Sequence, residues 1–233
     1  MKKTKCLVVL SGGQDSTTCL FWAKSQFDEV HAITFDYGQR HALELTSAVK
    51  VAKLAGVASH ETVSIPAILK GTSPLVNSDT QVEAYADASV LPGGLEKTFV
   101  PMRNMLFLVI AANRASCLGI NDLVTGVCQE DFGGYPDCRQ SFIDTTGDAI
   151  NEALYLDASE MNFAIHTPLM NLTKKASVDL AVSLPGCMEA MEFTHTCYNG
   201  EFPPCGHCHA CLLRQRGFEE AGVIDPLLGR VVV

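Results

Sequence analysis

The sequence predicts an α/β protein: a doubly wound, mostly parallel sheet followed by a small cysteine-rich C-terminal appendage. Three observations carry that expectation. Short β-rich apolar segments alternate with helix-period segments along the chain, the pattern of parallel strands joined by crossover helices. A glycine-rich turn separates the first such segment from the first helical stretch, where a sheet of this kind places its ligand crevice. Four of the ten cysteines crowd between Cys197 and Cys211, outside the alternating pattern.

Taken in order, strands are expected at Cys6–Leu10, Val30–Phe35, Glu61–Ile65, Leu123–Val127 and Phe163–Ile165. Between the first two, Cys19, Trp22, Ala23 and Phe27 recur at helical spacing; after the second, Leu45, Ala48, Val49, Ala52 and Ala55 do the same. The residues from Ala67 to Val100 break this rhythm with Pro66, Gly71, Pro74, Pro92 and Gly93-Gly94, so 67–100 is expected to be a lid or binding loop. Met105 to Ala112 is apolar on every side, which predicts a helix sandwiched between layers. A further helix fits Cys138 to Leu154, with Phe142, Ala149, Ile150 and Ala153 inward. Pro185-Gly186 ends a helix begun near Thr173. Residues 1–186 are thus expected to form the α/β domain, and 187–233 an appendage with too few apolar residues for its own core.

Composition narrows the function classes. Of 233 residues, 47% are hydrophobic and 18% charged, the latter below the roughly 25% of an average soluble chain, so a sizeable core is expected and disorder is not. The longest apolar run falls far short of the ~20 residues that span a bilayer, and the basic start Met1 to Lys5 meets too short an apolar stretch for a signal peptide. A cytoplasmic location and no membrane partner are expected. With 17 Lys and Arg against 26 Asp and Glu the net charge is −9, and no basic cluster stands out. That argues against a nucleic-acid partner, since phosphate neutralisation needs such a patch.

The turn Ser11-Gly12-Gly13-Gln14-Asp15-Ser16 opens a helix, whose free amides and positive dipole end favour a phosphate. The glycines permit positive φ and close approach, and Ser11, Ser16 and Thr17 offer hydroxyls. Asp15 repels phosphate unless a cation lies between, which suggests Mg2+. No Gly-Lys dipeptide and no G-x-G-x-x-G occurs, so neither of those phosphate fingerprints applies.

Cys197-x7-Cys205-x2-Cys208-x2-Cys211 supplies four thiolates, three of them in two overlapping C-x-x-C turns. That set suits one closed, tetrahedral and therefore structural Zn2+ per chain; an iron–sulfur run would need a fourth cysteine followed by proline. His195, His207 and His209 interleave and are possible substitutes. Cys187 is expected outside the site, and Cys6, Cys19, Cys117 and Cys128 in the core.

The hexapeptide resembles the SGGxDS loop of the N-type ATP pyrophosphatases, which transfer AMP to an oxygen atom and release pyrophosphate. The full run SGGQDSTTCL, with DYGQRH (36–41), FVPxRN (99–104), GVCxxDFxGYPDCR (126–139), TPLMxLTK (167–174), CYNG and CGHCxxC, resembles more closely the 7-cyano-7-deazaguanine synthase family. These motifs run in order through most of residues 5 to 215; the chain departs at Met102, where that family more often has glycine, and at Gly133, where serine is common. The resemblance implies an adenine nucleotide alpha hydrolase-like, Rossmann-like sheet and a homodimer. It implies that ATP, with Mg2+, is held by Leu10, Ser11, Gly12, Gly13, Gln14, Asp15, Ser16, Thr17, Thr18, Cys19 and Leu20. It further implies that 7-carboxy-7-deazaguanine and ammonia become a nitrile, in queuosine biosynthesis, by activation of the carboxylate and then of the amide oxygen.

Glu130, Asp131, Phe132, Tyr135, Asp137 and Arg139 leave the fourth strand together. Carboxylates can face the N–H donors of a purine-like ring, aromatics can stack on it, and an arginine can pair with a substrate carboxylate. Tyr135-Pro136-Asp137 also reads as a turn before the next helix. Arg103 stands just ahead of the apolar helix, either at the surface or reaching the leaving pyrophosphate; Asp36 and Tyr37 end the second strand, where an adenosine would sit. Asp15, Ser16 and Arg103 are the candidate catalytic residues. A tRNA-modifying thiolase with the same loop, and a non-catalytic nucleotide-binding module, are the alternatives.

Overall fold

Alternation along the central strand β1 (Lys5–Val9) decides how the chain is layered. Cys6 and Val8 belong to one buried cluster and Leu7 to another, because successive strand side chains point to opposite faces. Both faces must therefore be covered. The computed structural model describes residues 4–40, 42–77, 79–91, 94–129, 134–154 and 162–230. In it β1, β2 (Glu29–Asp36), β3 (Ser59–Ser64), β4 (Asp122–Val124) and β5 (Ala164–His166) pair in parallel in the order β3-β2-β1-β4-β5.

Helices α1 (Gln14–Gln26), α2 (Leu43–Ala55), α5 (Lys174–Ser183) and α6 (Cys187–Met191) cover Cys6, Val8, Val30 and Ala32. Helices α3 (Arg103–Cys117) and α4 (Gln140–Leu154) cover Leu7, Ile33, Phe35 and Leu123. The protein is a doubly wound parallel α/β sheet. Each fully buried Leu, Ile or Val side chain contributes roughly 1.5–3 kcal/mol. The outer strand β3 reads Ser-His-Glu-Thr-Val-Ser and is largely exposed, a polar edge that resists pairing with another chain. The first two crossovers carry the chain outward to β3, and β4 returns to the other side of β1. The direction of winding reverses beside β1, which opens a crevice at the carboxyl ends of β1 and β4.

The five expected strands occur with shifts of one to three residues at their ends, but several helical faces differ from expectation. On α2, Val51 is buried and Val49 is 53% exposed, because Ser47, Ala48, Val51, Ala52 and Ala55 form the stripe that meets the sheet. On α4 the inward residues are Ile143, Thr146 and Ile150, with Phe142 partly buried, whereas Ala149 and Ala153 face solvent. A 3₁₀ turn, Pro136–Cys138, replaces that helix's expected first residues. Helix α3 is not sandwiched: Leu108, Ala111, Ala112 and Ala115 are buried while Val109 is 50% exposed. Cys117 is exposed, unlike Cys6 and Cys19. All-round apolarity gives a helix no preferred face, so its neighbours select one.

The chain from β3 to α3 carries one 3₁₀ turn, Ala88–Val90, among its described residues. Arg40 donates to the carbonyls of Asn77 and Thr80 at 3.4 and 2.8 Å, the Ser73 hydroxyl to Thr98 O, and Tyr85 N to His207 O at 2.9 Å. This segment straps the sheet end to the cysteine-rich region, where Val82 packs on the cysteines. The chain beyond Gly186 does not stand apart either. Cys187, Ala190 and Met191 lie in the same core cluster as β1 and α1, and α7 (His209–Ala221) packs along α5, where a Cβ at Gly217 would come 2.7 Å from Lys174 Cγ.

Candidate active site at the carboxyl ends of β1 and β4

The first turn of α1 has no side-chain cap: its N-cap residue is Gly13, so the amides of Gln14, Asp15 and Ser16 lack acceptors within the helix. The loop ahead of them is braced internally. Ser16 Oγ donates to Gly13 O at 3.2 Å and accepts from Ser11 N at 3.2 Å, and Ser11 Oγ lies 3.0 Å from Ser16 Oγ. Gly12, at φ +92°, packs so closely on α2 that a Cβ would meet Glu44 O at 2.2 Å. The two serines and the second-row helix thus hold an open cradle of backbone N–H groups.

That cradle forms one end of a cavity of ≈ 290 Å3, near the lower end of ordinary small-ligand sites. Leu10, Ser11, Gly13, Gln14, Asp15 and Ser16 line it. Gly12, Thr17, Thr18, Cys19 and Leu20 do not: Thr18 Oγ1 turns back to Gln14 O, Cys19 Sγ to Thr125 O, and Thr17, Thr18, Cys19 and Leu20 are fully buried behind the loop. The side-chain amide of Gln14 is buried and unbonded among the described residues. Asp15, partly exposed, is met by a lysine: Lys174 Nζ lies 2.8 and 3.0 Å from its two carboxylate oxygens. The last residue of the TPLMxLTK segment thus places a positive charge beside the Asp15 carboxylate.

The opposite end is aromatic and cationic. Phe35 and Phe107 stack at 4.3 Å with 6° between ring planes, and Tyr37 sits 5.3 Å from Phe107. Arg103 lies beside the Tyr37 phenol and lowers it against the rise from burial, and it lines the cavity with Asn104, Tyr135 and Tyr198. Tyr135 Oη lies 2.6 Å from Thr98 Oγ1, and burial pushes its phenol up. Asp137 does not line the cavity: it is buried against α3, accepting from Asn104 N at 3.4 Å, and burial raises its carboxyl while Arg103 pulls it down.

Other expected residues lie elsewhere. Arg139 is exposed and does not line the cavity; the arginines that do are Arg103 and Arg214. Asp36 turns to Gly38 N and Ser64 Oγ, so only Tyr37 of that pair lines the cavity. Glu130, Asp131, Phe132, Gly133 and His41 lie outside the described residues. Sequence reasoning gave no role to Lys174 or Arg214. Arg214, buried, makes a two-point pair with Asp225 at 2.6 and 2.8 Å, donates to Thr194 and Thr196, and lines the cavity. For Lys174 a signal was present: a basic residue one position after the cap Thr173 opposes the helix dipole.

Cys197, Cys205, Cys208 and Cys211 bring their sulfurs within 4.8 Å of one another. Cys205 N and Cys208 N donate to the sulfurs of Cys197 and Cys205 at 3.5 and 3.4 Å. Hydrogen bonds from the thiols of Cys208 and Cys211 lower Cys197 and raise the two donors, as for sulfurs that share protons. The cluster can hold a metal ion. His209 is not part of it, its Nδ1 donating instead to Glu96 Oε2 at 2.7 Å. No helix among the described residues is long and apolar enough to cross a membrane.

A family model described as queuosine biosynthesis protein QueC matches residues 5–222. The chain is 55% identical over 225 residues to a 7-cyano-7-deazaguanine synthase of Gloeobacter violaceus, covering 96% of this chain and 95% of that one. It is 48% identical over 226 residues to a protein of the same name from Laribacter hongkongensis, covering 97% and 94%. The corresponding protein of Bacillus subtilis is 43% identical over 223 residues, covering 94% and 96%.

Proposed function

The chain belongs to the QueC family of queuosine biosynthesis proteins, and from that premise we propose that it converts 7-carboxy-7-deazaguanine and ammonia to 7-cyano-7-deazaguanine at the expense of ATP. One observation carries the reading. A single cavity joins an uncapped helix start with a paired lysine and aspartate to an aromatic, guanidinium-bearing wall, so a nucleotide tail and a flat acidic heterocycle have complementary ends to occupy.

A carboxylate resists nucleophiles, so it must first be given a leaving group. In this reading the amides of Gln14, Asp15 and Ser16 hold the phosphate tail, with Lys174 and Mg2+ sharing its charge, while the acid's oxygen attacks the α-phosphorus and pyrophosphate departs. Ammonia then displaces AMP to give the amide, and a second activation at the amide oxygen lets AMP leave again as the nitrile forms with loss of a proton. The protein contributes position and charge, not a covalent bond. Arg103 and Tyr135, which line the cavity, are the residues proposed to meet the deazaguanine acid, with Asp137 behind them acting on Arg103. Zinc is the proposed occupant of the four-cysteine site, because four sulfurs this close suit a tetrahedral ion with Zn–S near ~2.3 Å; its role is structural. The 67–100 strap, closing over this cavity, and a homodimer complete the proposal.

The test incubates purified protein with ATP, ammonium and 7-carboxy-7-deazaguanine. Pyrophosphate release that depends on the acid, with nitrile detected by mass spectrometry, is expected. Nucleotide binding without acid-dependent pyrophosphate would reduce the protein to a binding module, and formation of ADP at either step would overturn the paired-adenylation scheme.

A further inference from the structure

Behind the aromatic wall lies a second, much smaller cavity of ≈ 10 Å3, room for one particle the size of a water molecule. Glu96 lines it, 5% exposed. Its Oε2 accepts from His209 Nδ1 at 2.7 Å and from Thr98 Oγ1 at 3.0 Å, but the buried Oε1 has no hydrogen-bond partner among the described residues. A carboxylate oxygen left unmet in the interior is costly, and such a group marks a place for a donor.

We infer that this cavity is a subsite for ammonium, the nitrogen donor of the proposed reaction, with Glu96 as its anchor. Three features choose ammonium over other small donors. The side chains lining the cavity carry the carboxylates of Glu83 and Glu96 against a single lysine, Lys97, whose Nζ is held by Glu83 at 2.5 Å, so Glu96 turns its unmet Oε1 to the cavity with no lysine of its own. The volume admits an ion of water's size and excludes substituted amines. Tyr85, its hydroxyl bonded to Glu83 at 2.9 Å, and Tyr198 present further oxygens that accept from an N–H donor. Position completes the argument: Tyr198 and His209 line both cavities, so only that layer of side chains separates the captured cation from the activated acid.

This inference rests on the reaction proposed above, and its test separates the two. Isotope-labelled ammonium chloride is added to the unlabelled protein and the bound ion is observed by proton–nitrogen NMR. A protected ammonium signal is expected, weakened in Glu96→Gln and insensitive to methylammonium. In steady-state assays Glu96→Gln should raise KM for ammonium roughly tenfold, the loss of one charge-assisted hydrogen bond, with KM for ATP and kcat at saturating ammonium little changed. Glu83→Gln leaves the Glu96–His209 contact intact and should raise the same KM by a smaller factor. No bound signal, or one unchanged in Glu96→Gln, would mean that the cavity holds water only. Unchanged ammonium KM in both variants with normal nitrile formation removes the subsite and leaves the reaction standing; bound ammonium without nitrile does the reverse.

Discussion

Lys174 lines the cavity and sets its ammonium 2.8 Å from the Asp15 carboxylate. At the start of α5 its charge opposes the helix dipole, yet it is nearly buried against Asp15, 159 positions away in the chain. Nothing local supplies that partner; α7 pressing on α5 at Gly217 keeps it in place. Lys174→Met is expected to lower kcat/KM for ATP by about 10²–10³, the scale of one lost donor to a developing charge, with pyrophosphate release as the measurement; a wild-type rate would make the pair purely structural. Asp137 makes the complementary case. Burial raises its carboxyl, so the folded chain binds that proton more tightly than the unfolded one, and its ionisation costs stability as pH climbs through the carboxylate range. The cost is fully present at neutral pH. Asp137→Asn should therefore raise Tm at pH 7, with the advantage shrinking as pH falls toward about 4, while KM for the deazaguanine acid rises. A lower Tm at neutral pH would contradict this account.

Among the elements, α3 shows where local pattern misleads. Its apolar run names a helix correctly but not its face, since Val109 and Leu108 look alike in sequence and only packing on β1 and β4 buries the latter. Its N-cap is more telling. Met102 adopts φ 65°, a left-handed conformation that costs a side chain about 1–2 kcal/mol. The methionine is 64% exposed, so little packing offsets the strain. Met102→Gly is expected to stabilise the chain by about 1 kcal/mol, after the entropy that glycine restores to the unfolded state. Urea unfolding measures it, and a destabilised variant would show that Met102 holds contacts worth more than its backbone. The strands, by contrast, were legible to within a few residues, because buried apolar runs bounded by turn residues have few other uses.

For the whole molecule, the cysteine cluster ties elements together. Val82 of the strap and Tyr198 pack on it, α7 begins at its edge and continues along α5, and the chain from α6 onward shares the main core. Removing the metal should therefore reach the active site. Chelation is expected to cost on the order of 3 kcal/mol or more, lowering Tm by about 6–12 °C at ~2–4 °C per kcal/mol for a chain of this size, and to weaken ATP binding in parallel. A colourless protein with one zinc per chain is expected by elemental analysis, and an unchanged Tm after complete removal would overturn the structural role. The sequence by itself determined the parallel sheet, the glycine turn that opens α1 and the four-sulfur set, since each rests on periodicity or on residues within fifteen positions of one another. Only tertiary structure decided that Lys174 answers Asp15, that Arg103 and not Arg139 faces the cavity, and that Glu96 is walled in beside His209. Those partners meet through chain reversals and helix packing, and residue order alone carries no record of which side chains a reversal brings face to face.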